Sequence, residues 1–279
     1  MNKTIQISLL VATLCATLQA APAPTTKATT TTKKAAKKKP EPLTHAEFGY
    51  IETNGNTKTK TFNLDAKVKK KWDKQELKAT FDGQYASDDG VETKNKYLIE
   101  FNYNYTFTKV LAFSYLVGYK ADKFSGFSYQ FYTGPGARYK VIKSKKTNLS
   151  FEGNMLYALD QYEDTNYDAD GNVINYPNPD GIPVATTVPG EQKEYVSYRV
   201  KGLYSYKFTK TLTFSQELTM RGQLNDTPNY FVYSNSSLKS KISDIFSAGI
   251  SYKVDYANRP PVDKKSTDTT LTLNLIMDY

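Results

Sequence analysis

The chain has 279 residues, 39% of them hydrophobic and 14% aromatic, with 23 Tyr, 14 Phe and a single Trp. No run of about eighteen apolar residues occurs, which excludes a membrane-crossing helix but not a strand barrel, where only alternate residues need be apolar. The formal charge of +9 is uneven: residues 1–46 hold seven Lys against one Glu, so the remainder carries only +3, and a nucleic-acid face loses its main support.

Lys3 and the apolar stretch Ile5 to Leu18 read as the start of a signal peptide, with cleavage after Ala20. Cleavage after Ala23 would place Pro24 first. Leu14 precedes Cys15 where lipidation asks for a small residue, which weighs against a lipid anchor. Cys15 is the only cysteine, so the mature chain would hold neither a disulfide nor a thiolate metal site. Residues 21–46 are rich in Ala, Pro, Thr and Lys and read as a disordered periplasmic tail. Within it Lys37-Lys38-Lys39 reads as a solvated spacer, with contact to anionic envelope polymers as the competing reading.

The folded body is expected over 47–279, where apolar and polar residues alternate with the period of a strand. Tyr97, Ile99, Phe101, Tyr103, Tyr105 and Phe107 share one face, opposite Glu100, Asn102, Asn104 and Thr106. Leu111, Phe113, Tyr115, Val117 and Tyr119 repeat the pattern. Short breaks fall at Asp73-Lys74, Thr108-Lys109, Lys143 to Lys146, Thr209-Lys210 and near Asp244. Between them lie mostly longer ones: Asn54-Gly55-Asn56, Ser87 to Thr93, Lys123 to Ser125, Asp164 to Lys193, Asn225 to Pro228 and Asn258 to Ser266. Two hairpins share a repeat, Tyr105-Thr106-Phe107-Thr108-Lys109 and Tyr206-Lys207-Phe208-Thr209-Lys210. Alternating turns and loops predict an all-β, antiparallel, up-and-down transmembrane β-barrel of about 12 strands. Both mature termini would then lie on the periplasmic side. A soluble barrel or sandwich has the same periodicity with its faces exchanged.

The last strand is the clearest. Leu271, Leu273, Leu275, Met277 and Tyr279 alternate with polar residues, broken only by Ile276, and should pair with the first strand near Phe48 to Thr53. The terminal aromatic resembles the signal through which outer-membrane assembly machinery recognises its clients.

Further stretches resemble the salt-induced outer-membrane protein family, the YdiY-like proteins, a domain of unknown function. They are Tyr50 to Thr57, Phe127 to Gly136, Asn229 to Ser234, Lys241 to Ser247 and Ser251 to Tyr256. The resemblance covers residues 47–279 and implies a fold, an outer-membrane location and a link to salt or envelope stress. It brings no cofactor, substrate or catalytic residue.

The sole histidine, His45, stands just before the expected first strand and reads as solvated. Without a barrel histidine there is no ready general base, and no Lys or Glu stands out as a substitute, so the chain does not read as an enzyme. Asp65, Lys67, Lys78, Asp82, Glu100, Arg138, Lys140, Glu152, Arg199, Lys201, Glu217, Arg221, Lys253 and Asp255 fall on the polar face and should point into a lumen. They would line a narrow pore for small polar or charged solutes, with mild anion preference, or pair across the lumen and plug it. Gly134-Pro135-Gly136 lies inside a strand with no helix after it, so it reads as a bulge or kink, not a phosphate loop. Asn166, Asp168, Asp170 and Gly171 mimic the start of a calcium loop, but Pro177 stands where the bidentate Glu belongs. No cofactor or metal is expected. The partners implied are outer-membrane lipid, the assembly machinery and small solutes.

Overall fold

A computed structural model describes residues 43–53, 59–260 and 265–278. The expected signal peptide, most of the tail, the Asn54-Gly55-Asn56 turn and Tyr279 lie outside the described residues. The strands are β1 (Leu43–Thr53), β2 (Thr59–Trp72), β3 (Gln75–Asp88), β4 (Val91–Thr106), β5 (Leu111–Asp122), β6 (Phe127–Lys143) and β7 (Thr147–Tyr162). Three short ones follow, β8 (Thr165–Tyr167), β9 (Val173–Ile174) and β10 (Thr186–Val188). The series ends with β11 (Gln192–Lys207), β12 (Leu212–Gln223), β13 (Tyr230–Lys241), β14 (Phe246–Ala257) and β15 (Thr267–Asp278).

Twelve of them form one closed antiparallel barrel, each of β1–β7 and β11–β15 pairing with the next and β15 returning to β1. β8, β9 and β10 form a separate three-stranded sheet in the long connection between β7 and β11. The twelve-stranded meander agrees with the sequence expectation.

The barrel is inside-out. On β15, Leu271, Leu273 and Leu275 are 63%, 66% and 55% exposed, whereas Thr272 and Asn274 between them are 5% and 8% exposed. The outer surface repeats this pattern with Phe48, Phe101, Tyr115, Phe151, Val196, Val200, Leu218 and Tyr252, all exposed. A soluble barrel would bury these rows, because exposed apolar area costs roughly 25 cal/mol per Å² in water. The polar rows face inward instead.

Local chemistry fixes the turns. The repeated pentapeptide becomes a repeated turn. Thr108 Oγ1 accepts from the Leu111 N–H at 3.0 Å, and Thr209 Oγ1 accepts from the Leu212 N–H at 2.9 Å. Ser243 repeats the device, accepting from the Phe246 N–H at 2.9 Å. The break expected over Ser87 to Thr93 is corrected: β3 and β4 run on to a two-residue turn, Asp89-Gly90, with φ of 45° and 85°. Both residues need positive φ in the tight hairpin turn that matches strand twist, and Asp-Gly supplies it.

Gly134-Pro135-Gly136 is no bulge. The register of β6 against β7 passes from Thr133↔Tyr157 to Gly136↔Asn154 without a shift, and its irregularities lie elsewhere, at Phe127/Tyr129 and Lys140/Ile142. Pro135 has no N–H to give, so the ladder is skipped there. A Cβ on Gly134 would fall 2.0 Å from the Met155 carbonyl, so glycine is what lets the two backbones approach.

Closure also differs from expectation. β1 begins at Leu43, so residues 43–46, assigned above to the tail, are strand. β1 meets β15, as expected, but through His45↔Asp278, Ala46↔Met277, Glu47↔Ile276 and Phe48↔Leu275, so that of the expected Phe48 to Thr53 only Phe48 takes part. His45 is therefore no solvated tail residue. Its Nδ1 lies 2.5 Å from Asp278 and its Nε2 2.8 Å from Glu47, and Asn274 donates to Glu47 at 2.8 Å. These contacts tie a seam of few ladder pairs. His45→Ala is expected to weaken it by roughly 1 kcal/mol, a half-exposed charged hydrogen bond being worth little more. The check is the temperature at which the folded, fast-migrating band disappears in SDS gels. It should fall, whereas Lys145→Ala in an exposed turn should leave it unchanged.

Candidate functional site: the charged lumen

All fourteen residues expected to line the lumen occupy inward register positions. Alternation does this alone, because a strand sends successive side chains to opposite faces. What alternation does not give is how they meet. The structure joins them by chords across the barrel.

Near the short-turn end, Arg138 of β6 reaches Glu76 of β3 at 3.1 Å, and Lys71 joins the same carboxylate at 3.1 Å. At mid-height Arg199 of β11 bonds Glu152 at 2.9 Å and approaches Glu100 of β4 at 3.7 Å. Asn154 accepts from Arg199 at 3.0 Å, Asn102 donates to Glu152 at 2.9 Å, and Tyr132 donates to Glu100 at 2.8 Å. Lys201 pairs with Glu217 beside it. Lys253 of β14 spans the closure to Asp65 of β2 at 2.9 Å and also holds Asp82 of β3. Toward the loop end Lys96 of β4 crosses to Asp255 of β14. Asp160 accepts from Tyr195 at 2.6 Å and from Gln130 at 3.0 Å, with Arg221 at 4.0 Å.

The expected residues thus fall into groups: Asp65, Asp82 and Lys253; Glu100, Glu152 and Arg199; Lys201 and Glu217. Arg138 and Asp255 find partners that the sequence reading did not single out, Glu76 and Lys96, while Arg221 stands only at the edge of contact with Asp160, at 4.0 Å. Lys67, Lys78 and Lys140 make no ion pair among the described residues. Glu76, Lys96, Lys120 and Asp160 share the inward parity of the residues that were picked, so extending the alternation to the strand ends would have found them. Tyr132 and Tyr195 carry no such signal, since Tyr occurs on both faces.

The lumen is unevenly filled. On the wall of β5, β6, β7 and β11, a cluster of Leu116, Tyr132, Leu156, Ala158 and Tyr195 packs inside the barrel. There the side chains of Arg199 and Glu152 are 4% and 6% exposed. Elsewhere Glu217 keeps 40% of its side chain accessible, Asp65 31% and Asp82 26%, and the inward-facing Lys67 is exposed. A cavity of about 150 Å³ runs among Asp82, Glu100, Lys120, Arg221, Tyr233 and Asp255.

In the long loop, Asp168 accepts from the Asp170 and Asn172 N–H groups at 3.0 and 2.7 Å, and from the Asn172 side chain at 3.0 Å. The Asn172 side-chain bond, foremost among these, holds the Asp168 carboxyl below its ordinary range. Its oxygens are turned inward on their own loop. The loop leans over its neighbours: Tyr176 donates to Glu92 at 2.8 Å and packs on Phe124.

Residues 46–279 match the family model described as "Protein of unknown function, DUF481". The chain belongs to that family. Its description assigns no salt-stress role. Among curated proteins none matches the sequence. Among solved structures the barrel is similar to the translocator domain of autotransporter NalP from Neisseria meningitidis, at 10% identity and a TM-score of 0.47, covering 88% of this chain and 90% of that one. It is also similar to the NanC porin, at 13% identity and a TM-score of 0.45, covering 85% and 98%. The KdgM porin in complex with disordered oligogalacturonate follows, at 10% and 0.41, covering 84% and 99%. At such identities and scores these likenesses add nothing to what the barrel's own geometry shows.

Arg199 holds two buried carboxylates apart. Arg199→Met leaves Glu100 and Glu152 unneutralised against a dry wall and is expected to cost about 3–5 kcal/mol, the usual penalty for a broken buried ion pair. Urea unfolding of the protein in lipid vesicles measures it. Adding Glu100→Gln and Glu152→Gln should recover most of the loss.

Proposed function

We propose that this DUF481 protein spans a bacterial outer membrane and passes small polar or charged solutes along a narrow watery path in its lumen. The observation that carries the reading is the accessibility of inward-facing charges at mid-barrel. Asp65, Asp82 and Lys67 face the lumen yet keep room for water, as does Glu217 on β12, whereas Arg199 and Glu152 are packed dry. The path follows the wall that runs from β12 through β13, β14, β15, β1 and β2 to β3. The termini-bearing end, where the turns are short, is the periplasmic end on this reading, and the last strand is the part offered to the assembly machinery. The chain is not an enzyme on this reading: both nitrogens of His45 are taken by carboxylates that tie the seam.

The outer rows of leucine and aromatic residues support the membrane placement. Leu273→Arg, on the outer face, is expected to cost about 2–4 kcal/mol of folding into vesicles near the bilayer midplane. The inward Thr272→Ser should cost far less. Equal losses would count against a lipid-facing outer wall.

Single-channel recording in planar bilayers tests the pore. Small ohmic steps are expected. Asp65→Asn with Asp82→Asn should raise the anion-to-cation permeability ratio severalfold, because Lys67 and Lys253 then dominate the accessible wall. Silence from demonstrably folded barrels favours the second reading, a plugged structural or interaction barrel. The dry β5–β7 and β11 wall is the observation on that side. A part in salt or envelope stress belongs to the same proposal through the family resemblance alone. Growth of a deletion strain across salt concentrations tests it.

A further inference from the structure

The lumenal cations are not equally satisfied. Lys253 and Arg199 each have a carboxylate at 2.9 Å, and Arg138 has one at 3.1 Å. Two others do not. The nearest carboxylate to Lys120 is Asp122 at 4.0 Å, and the nearest to Arg221 is Asp160 at 4.0 Å. Asp160 is already committed to Tyr195 and Gln130.

Both cations rest on aromatic rings instead. Lys120 Nζ lies 5.1 Å from the centroid of Tyr233, and the Arg221 guanidinium lies 4.8 Å from Tyr132 and 5.0 Å from Phe231. Ring faces orient a cation and screen it from water but do not accept its N–H groups in the way an anion does. Arg221 is 3% exposed, yet its Nη1 has no hydrogen-bond partner among the described residues. A buried, unpaired guanidinium donor is costly, and native structures keep such groups where something else completes them. Lys120, Arg221, Tyr132 and Tyr233 all line the same cavity, whose 150 Å³ suits a small anion with a few waters and is below the range of drug-sized ligands.

We propose that this cavity is a binding site for a small anion, a phosphate or a carboxylate, held between Arg221 and Lys120. The guanidinium offers a planar fork and the ammonium a point charge, the combination that suits an oxyanion. The neighbouring rings exclude water from one side. Its importance for transport rests on the pore reading, since an anion would pause here on its way through. The site itself exists whether or not the barrel conducts.

The test is calorimetric titration of the folded full-length protein in detergent, at low chloride, with inorganic phosphate and separately with gluconate. Saturable binding of either is expected, and the two arms distinguish phosphate from carboxylate preference. Lys120→Gln should weaken it about tenfold, Lys120→Arg should restore most of it, and Lys145→Gln in an exposed turn should change nothing. Retention of the heat-modifiable gel shift shows that each variant has folded. No saturable binding by the folded wild type, equal binding by Lys120→Gln, or saturation only by a cation such as calcium overturns the site. A silent barrel that binds phosphate fails the pore reading and keeps the site. A conducting barrel that binds neither anion does the reverse.

Discussion

The wall of this barrel is one strand thick, and that constraint governs the rest. Each strand must satisfy its backbone groups on its two neighbours, and its side chains go alternately out and in. With leucine and aromatic rows outward, every polar row is committed to an interior only twelve strands round. Charges in that interior have little bulk water to solvate them, so they are placed where opposite charges meet. Arg138 reaching Glu76 and Lys96 reaching Asp255 follow from the circumference as much as from the sequence. The seam is the least supported part of the ring. Among the described residues the ladder joins β1 to β15 over His45 to Phe48, and the side chains of His45, Glu47, Asn274 and Asp278 take over part of what backbone pairing does elsewhere.

The two sides of the lumen solve the solvation problem differently. Along β5, β6, β7 and β11, apolar Leu116, Leu156 and Ala158 stand at inward positions and remove water. Arg199, Glu152 and Glu100 are then held by direct bonds and by Tyr132, Asn102 and Asn154. Such a wall is rigid, since moving one member strands the others. Along β14, β15, β1, β2 and β3 the inward residues are mostly Ser, Thr, Asn, Asp and Lys, which tolerate water as a partner. The accessible carboxylates of Asp65 and Asp82 lie there. A stiff half supporting a wetted half would keep a narrow passage from collapsing.

Much of this was legible in the sequence because period-two patterning needs no knowledge of partners. It gave the strand count, the meander, the outward rows and the parity of every lumenal charge. It failed where a decision depends on the neighbouring strand. The expectation that β15 pairs with the first strand held, but its register lies at His45 to Phe48 rather than Phe48 to Thr53, because stagger is set by shear around the whole ring. His45 looked like tail because Leu43-Thr44-His45-Ala46 has no marked alternation, yet pairing with β2 and β15 makes it strand. Ser87 to Thr93 looked like a loop because all but Val91 are polar or glycine. Only the Asp89-Gly90 turn carries the signal, and it allows polar strand ends to stay paired above it. Who pairs with whom across the lumen was not readable, since partners such as Lys253 and Asp65 are far apart in sequence and share only a height in the barrel.

That height decides what the charges do. A pore lined by a uniform field would select by net charge, but here the cations and carboxylates are interleaved and mostly cancel within a few ångströms. Lys253 is shared by two aspartates, and Arg199 by two glutamates. If the barrel conducts as proposed, what a passing ion would meet is set by the members left over: Lys67, Lys78 and Lys140, without ion pairs among the described residues, and Lys120 and Arg221, whose nearest carboxylates lie at the edge of contact. All five are cations. On the proposed pore reading, selectivity would come from incomplete pairing rather than from excess charge, and a near-neutral interior would still favour anions when its carboxylates are the better-occupied partners.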